Sequence, residues 1–282
     1  MRKSRLFLCL NTAAITVALF IFTAACHKKA DDSLTNADDN GGYASDHVKM
    51  EQNSNDVVSM ADVAAATNSG SGLRTTGTTL GGCATVTNDT TVTPHVLTIN
   101  FGTTDCTCAD GKNRKGSIIV TYTGHYKDSG STHTITYSNY FVNDNQLTGI
   151  KTVTNMGTNT SGQVYYTVNV NDTLNLGTGN GEIVWTGSRT RTWLTGYATS
   201  DRSDDSYLIS GTTTLTRANG HSFVMDITTP LQVAYSCPWI EAGIVSITGP
   251  LGGVRTLNYG NGNCDSEAQL TIGSHTYNIT LK

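Results

Sequence analysis

The sequence predicts an all-β ectodomain with one short helix at its N-terminal side. Three observations carry this: period-two alternation in long Thr-rich runs, turn-forming residues between those runs, and no long helical pattern separating them. Ile118, Val120 and Tyr122 alternate with Ile119, Thr121 and Thr123. The stretches Thr134–Tyr140 and Val164–Val170 repeat the habit. Between such runs stand Asp128-Ser129-Gly130, Asn143-Asp144-Asn145, Gly177–Gly181 and Asn219-Gly220. Strands of this kind joined by short turns imply consecutive antiparallel hairpins, closing into a sandwich or spreading as an elongated curved sheet. Parallel βαβ units need intervening helices and are excluded.

The N-terminus reads differently. Arg2, Lys3 and Arg5 precede an apolar stretch from Leu6 to Phe22, and Thr23-Ala24-Ala25-Cys26 follows. That order is a secretory signal, and the stretch is short for a membrane span. Cys26 after three small residues resembles the bacterial lipobox, which implies acylation of Cys26 and anchoring by lipid rather than by a spanning segment. Removing residues 1–25 takes three bases and no acid, leaving fifteen bases against twenty-two acids, a net charge of −7. A mildly acidic domain has no electrostatic footprint for nucleic acid.

From residue 26 to 54 the chain is polar and aperiodic, the composition of a disordered tether. The run Lys28–Asp32 resembles the charged export tag of surface lipoproteins in the Bacteroidota. Val57, Met60, Ala61 and Ala64 then share one helical face, predicting a short docked helix over 55–66, with Ser54 or Asn55 as cap. A Gly/Ser/Thr connector runs to residue 82, and the β-rich region occupies 83–282.

That region carries internal matches. Thr98–Cys106 (TINFGTTDC) aligns without a gap on Thr256–Cys264 (TLNYGNGNC), Leu147–Asn155 on Ile209–Arg217, and Gly116–Thr121 on Gly181–Thr186. A duplication would place Cys106 and Cys264 equivalently. Cys9 leaves with the signal and Cys26 takes the lipid, so Cys83, Cys106, Cys108, Cys237 and Cys264 face an oxidising compartment. Pairing each matched cysteine with the one heading its unit predicts Cys83–Cys106 and Cys237–Cys264. Cys108 is left unpaired, or competes with Cys106 for Cys83. Cys106 and Cys108 with His95 or His125 lack the ordered second pair of a zinc site, and no metal is expected.

Chemistry-bearing clusters are sparse. On one predicted strand Trp185, Arg189, Arg191 and Trp193 share a face, a candidate for stacking on a sugar or holding an anion, against the plainer reading of a solvated face whose arginines pair with Asp or cover the Trp rings. The loop Asp201–Asp205 lacks the glycine-turned spacing of a calcium loop, and the basic turn Lys112, Arg114, Lys115 reads as solvated. No nucleophile elbow, metalloprotease motif or phosphate loop is present. Glu182, Glu241 and Glu267 are too few and scattered to nominate a glycosidase pair. No catalytic residue and no cofactor is therefore expected. Asp32–Leu34, Asp89–Thr91 and Asp172–Leu174 resemble a short O-glycan acceptor motif, which carries little information in a Thr-rich chain.

With Asn100-Phe101-Gly102 before Cys106 and Asn258-Tyr259-Gly260 before Cys264, the mature chain resembles uncharacterised cell-envelope lipoproteins of the Bacteroidota. The resemblance implies a β fold and an outer-membrane lipid anchor, at the periplasmic face or the cell surface, and brings no activity. The leading expectation is a non-enzymatic protein that binds a glycan or another envelope component, or builds the envelope. An extracellular polymer hydrolase and a periplasmic carrier of an apolar ligand are the alternatives.

Overall fold

The computed structural model describes residues 39–67, 82–179, 181–250 and 253–281. The expected signal, Cys26, the first part of the expected tether and most of the connector lie outside the described residues.

Fourteen strands follow one helix. They are β1 (Thr85–Asp89), β2 (His95–Asn100), β3 (Cys106–Thr107), β4 (Asn113–Tyr122), β5 (Thr132–Val142), β6 (Asn145–Thr158) and β7 (Val164–Asn175). Then come β8 (Glu182–Thr195), β9 (Ser206–Arg217), β10 (Ser222–Ala234), β11 (Ile240–Thr248), β12 (Val254–Asn261), β13 (Glu267–Ile272) and β14 (His275–Thr280). All pair antiparallel in chain order in one open sheet, with the short β3 set aside against β4. The predicted hairpins are therefore present, as a single curved sheet and not a sandwich. Asn143 and Asp144, both at positive φ (47° and 63°), make the tight β5–β6 turn that their residue types favour.

Alternation sets one face inward along every long strand. On β7, Val164, Tyr166, Val168, Val170, Asp172 and Leu174 are buried, while Asn169 and Asn171 are exposed. Bending such a sheet needs local kinks, and glycines within strands supply them. Gly149 in β6 and Gly211 in β9 sit at φ +119° and +114°, where a Cβ would come 2.2 Å from the Asn171 carbonyl oxygen and 2.5 Å from that of Ser188. These glycines fall at matching positions of the repeated segments Leu147–Asn155 and Ile209–Arg217, as do the buried pairs Leu147/Ile209 and Val153/Leu215.

What the sheet curls around is the helix α1, Asp39–Thr67. This corrects the sequence reading: the helix starts inside the segment expected to be tether, and it is not amphipathic. Tyr43, Val48, Met50, Val57, Val58, Met60 and Val63 are buried together with Asp46, His47, Glu51, Gln52 and Asp62. Side chains on every face of the helix are thus covered, a pattern with no single apolar stripe to detect. Gly41, Gly42, Asn53 and Asn55 are poor helix formers. Tertiary enclosure overrides that weak local preference. Although it is 29 residues long, α1 is too polar to cross a membrane.

Both predicted disulfides are present, Cys83–Cys106 and Cys237–Cys264, each with Cα atoms 5.7 Å apart. Cys108 is free and buried.

Candidate functional site: the inner face and its acidic helix

Four acids of α1 meet bases projected from the sheet. Asp46 takes Arg217 of β9 (Nη2 at 2.6 Å), and Glu51 takes Arg189 of β8 (3.0 Å). Asp56 takes Lys112 and Arg114 at the start of β4, and Asp62 takes Arg202 in the loop before β9. Spacings of five, five and six residues turn successive acids to different sides of a helix with 3.6 residues per turn. They can all be matched only because the sheet surrounds the helix. The basic turn expected to be solvated is therefore a clamp: Arg114 is fully buried and also pairs with Asp110 at 2.6 Å. Aromatic contacts reinforce the clamp near the helix start, where Tyr43 stacks on Phe223 of β10 at 4.0 Å and Arg255 of β12 lies over the Tyr43 ring.

The four residues singled out on β8 all point inward: Trp185, Arg189, Arg191 and Trp193 are buried. The two arginines play different parts. Arg189 is satisfied, donating to Glu51, to the Gly211 carbonyl (2.7 Å) and to Thr213 Oγ1 (2.8 Å), with Trp185 Nε1 on the same hydroxyl. Arg191 has no carboxylate of its own. Its guanidinium lies 3.6 Å from the Tyr207 ring centroid, and its Nε and Nη1 are buried without a hydrogen-bond partner.

Around Arg191 gather Tyr126, Tyr166 and Tyr207, with Trp193 and His133 beside them. Tyr126 stacks on Tyr166 at 4.6 Å and meets His133 edge-on at 5.4 Å, while Trp193 packs on Tyr207 at 4.9 Å. Asn155 Nδ2 donates to the Tyr126 carbonyl at 3.1 Å and fixes the loop that carries it. The hydroxyls of Tyr126 and Tyr166 and the Nε2 of His133 are likewise buried and unpartnered. Burial works against the Arg191 cation, yet the phenol oxygens of Tyr126 and Tyr207 and the Asp62 carboxylate raise its pKa overall. Burial lowers His133 to about 4, against a hydrogen bond with the Gly124 backbone, so its ring is neutral at physiological pH. Burial raises Asp62 and Asp205, opposed in each case by Arg202. Arg191, Arg202 and Lys127 all act on the Asp62 carboxylate, and Asp205 pairs with Arg202 at 3.3 Å.

The cluster lies close to the surface. Lys127 Nζ sits over both Trp193 and Tyr197 and donates to the Tyr197 carbonyl at 2.7 Å, and Tyr197 is exposed. Among the described residues a metal has no comparable place. Cys237, Glu241 and Cys264 converge, but their sulfurs are joined as a disulfide and offer no thiolate. Tyr126 and Tyr166 read in the sequence simply as core and cross-strand packing, while Tyr207 and the acids of α1 went unseen as site residues. Their one signal was the regular spacing of acids through a polar segment. Comparisons with protein-family models, curated proteins and solved structures return no match for this chain.

Proposed function

We propose that the protein is a lipid-anchored component of the cell envelope, tethered through Cys26, that acts by binding rather than catalysis. Its ligand on this reading is an envelope component bearing acidic groups, foremost an acidic glycan. The observation that carries the binding part is Arg191: a buried cation among tyrosines, with two unpartnered donor nitrogens. Unmet donors in such surroundings cost on the order of 1–3 kcal/mol each, which the oxygens of an anionic ligand recover through charge-assisted hydrogen bonds. Charge throughout the inner face favours a polar ligand over the apolar cargo of a carrier. The anchoring part is carried by the signal and Cys26.

Two measurements test this. A clickable fatty acid fed to expressing cells should label the wild-type chain and not Cys26→Ser; equal labelling of both refutes the anchor. Oligogalacturonate should raise the melting temperature of the wild type above that in chloride of equal ionic strength, and Arg191→Met should abolish the rise. No rise in the wild type, or the same rise in the variant, refutes the binding site.

A further inference from the structure

Lys151 of β6 and Asp172 of β7 form a second buried group that the binding reading does not use. The two strands are hydrogen-bonded neighbours, with Gly149 opposite Asp172 and Lys151 opposite Val170. The two side chains are therefore diagonal neighbours on the inner face. Both side chains are essentially without solvent exposure, 0% and 2%. Ile135 lies across from Lys151 on β5, and Trp185 across from Asp172 on β8, all of them buried.

The contact between them is unusual for an ion pair. Nζ reaches Oδ2 at 3.1 Å and makes no hydrogen bond to any other group among the described residues. Oδ1 of Asp172 also lacks a partner. The single further polar contact is Tyr137, whose hydroxyl donates to Oδ2 at 3.4 Å. An isolated pair in apolar surroundings, short of supporting hydrogen bonds, does not recover the desolvation of its two charges. Burial accordingly raises the Asp172 carboxyl, against the pull of Lys151. Condensation proceeds from the neutral pair, an amine beside a carboxylic acid, which differs from the ion pair by one proton passed between atoms 3.1 Å apart.

We propose that Lys151 and Asp172 condense into an intramolecular amide that crosslinks β6 to β7. Nζ attacks Cγ of the protonated carboxyl and a new N–C bond forms. Tyr137, already on the carboxyl, donates its proton to the departing hydroxyl and takes one back from Nζ. The Cγ–O bond breaks and one water leaves. No oxidant, metal or activated donor is required. Amide formation from free acid and amine is unfavourable in water, but effective molarities of about 10⁵–10⁸ M for groups held in contact, in a site buried from bulk water, reverse that balance. The crosslink removes two buried charges and makes the β6–β7 hairpin covalent.

The sequence makes the test direct. Trypsin cuts after Lys127, Lys151 and Arg189, and no other Lys or Arg lies between the first and the last. It does not cut after an acylated lysine. Digesting the full chain under denaturing conditions should yield Asp128–Arg189 as one species lighter than the linear peptide by one water, with fragmentation placing the link on Lys151 and Asp172. Lys151→Met should give the same span at its full linear mass. Tyr137→Phe should slow bond formation in freshly refolded protein, and Asp172→Asn should release ammonia in place of water. Separate Asp128–Lys151 and Thr152–Arg189 peptides at unmodified mass, or the uncut span without water loss, would overturn the proposal. Neither result bears on ligand binding at Arg191.

Discussion

Replacing Glu51 by Gln tests how α1 is held. Arg189 and Glu51 meet at 3.0 Å with side-chain exposures of 3% and 1%, so each loses its hydration on folding and depends on the other. Removing one charge leaves a buried guanidinium supported only by the Gly211 carbonyl and the Thr213 hydroxyl. Breaking a buried pair in this way costs about 3–5 kcal/mol, against about 0–1 kcal/mol for a solvent-exposed pair. For a domain of this size, that lowers the melting temperature by roughly 6–20 °C. Urea denaturation of wild type, Glu51→Gln, Arg189→Met and the double variant reads the effect as a shift in midpoint. The double variant should recover much of the loss, because no charge remains buried alone. Hydrogen exchange should show α1 losing protection in the single variants before the sheet does. A Glu51→Gln change within about 1 kcal/mol would refute the view that the helix is clamped by buried charge. A double variant no better than either single would locate the loss in packing instead.

Three further outcomes follow from the same geometry. Gly211→Ala places a Cβ 2.5 Å from the Ser188 carbonyl oxygen at a φ of +114°, and should cost upwards of about 2 kcal/mol in denaturant midpoint; a neutral result would deny that this kink sets the curvature. His47 and His133 are each lowered by burial from 6.5 to about 4. The unfolded chain therefore binds more protons between these values, and stability falls as pH drops from about 6.5 towards 4, by up to about 3 kcal/mol per imidazole. His47→Gln should flatten that part of the pH–stability profile, a comparison that separates the imidazole from Asp62, Asp172 and Asp205, whose raised carboxyls titrate in the opposite sense. An unchanged profile would sink the assignment. Finally, the disulfides close loops of 23 and 27 positions, so Cys106→Ser and Cys237→Ser should each cost about 3 kcal/mol. Non-reducing peptide maps should show no Cys83–Cys264 or Cys106–Cys237 crosslink.

The sequence by itself determined the strands, their turns and the disulfide map. Period-two alternation is local, Asn143-Asp144 and Asn219-Gly220 punctuate it locally, and each disulfide joins cysteines fewer than thirty positions apart. Even the kinks were present as the matched glycines Gly149 and Gly211. Trp185, Arg189, Arg191 and Trp193 could be assigned to one face for the same reason. Whether that face looked out or in, and at what, could not. The helix was legible only over 55–66, because detection from pattern needs one apolar stripe, and a segment enclosed on all sides has none. Asp46 and Glu51 looked like solvated tether, and Asp56 and Asp62 like part of a short surface helix, until their partners appeared from β8, β9, the start of β4 and the loop before β9, distant in sequence by 56 to 171 positions. Burial of charge depends on pairing across the fold, so the clamp on α1, the unmatched Arg191 and the Lys151–Asp172 contact were decided by tertiary structure alone.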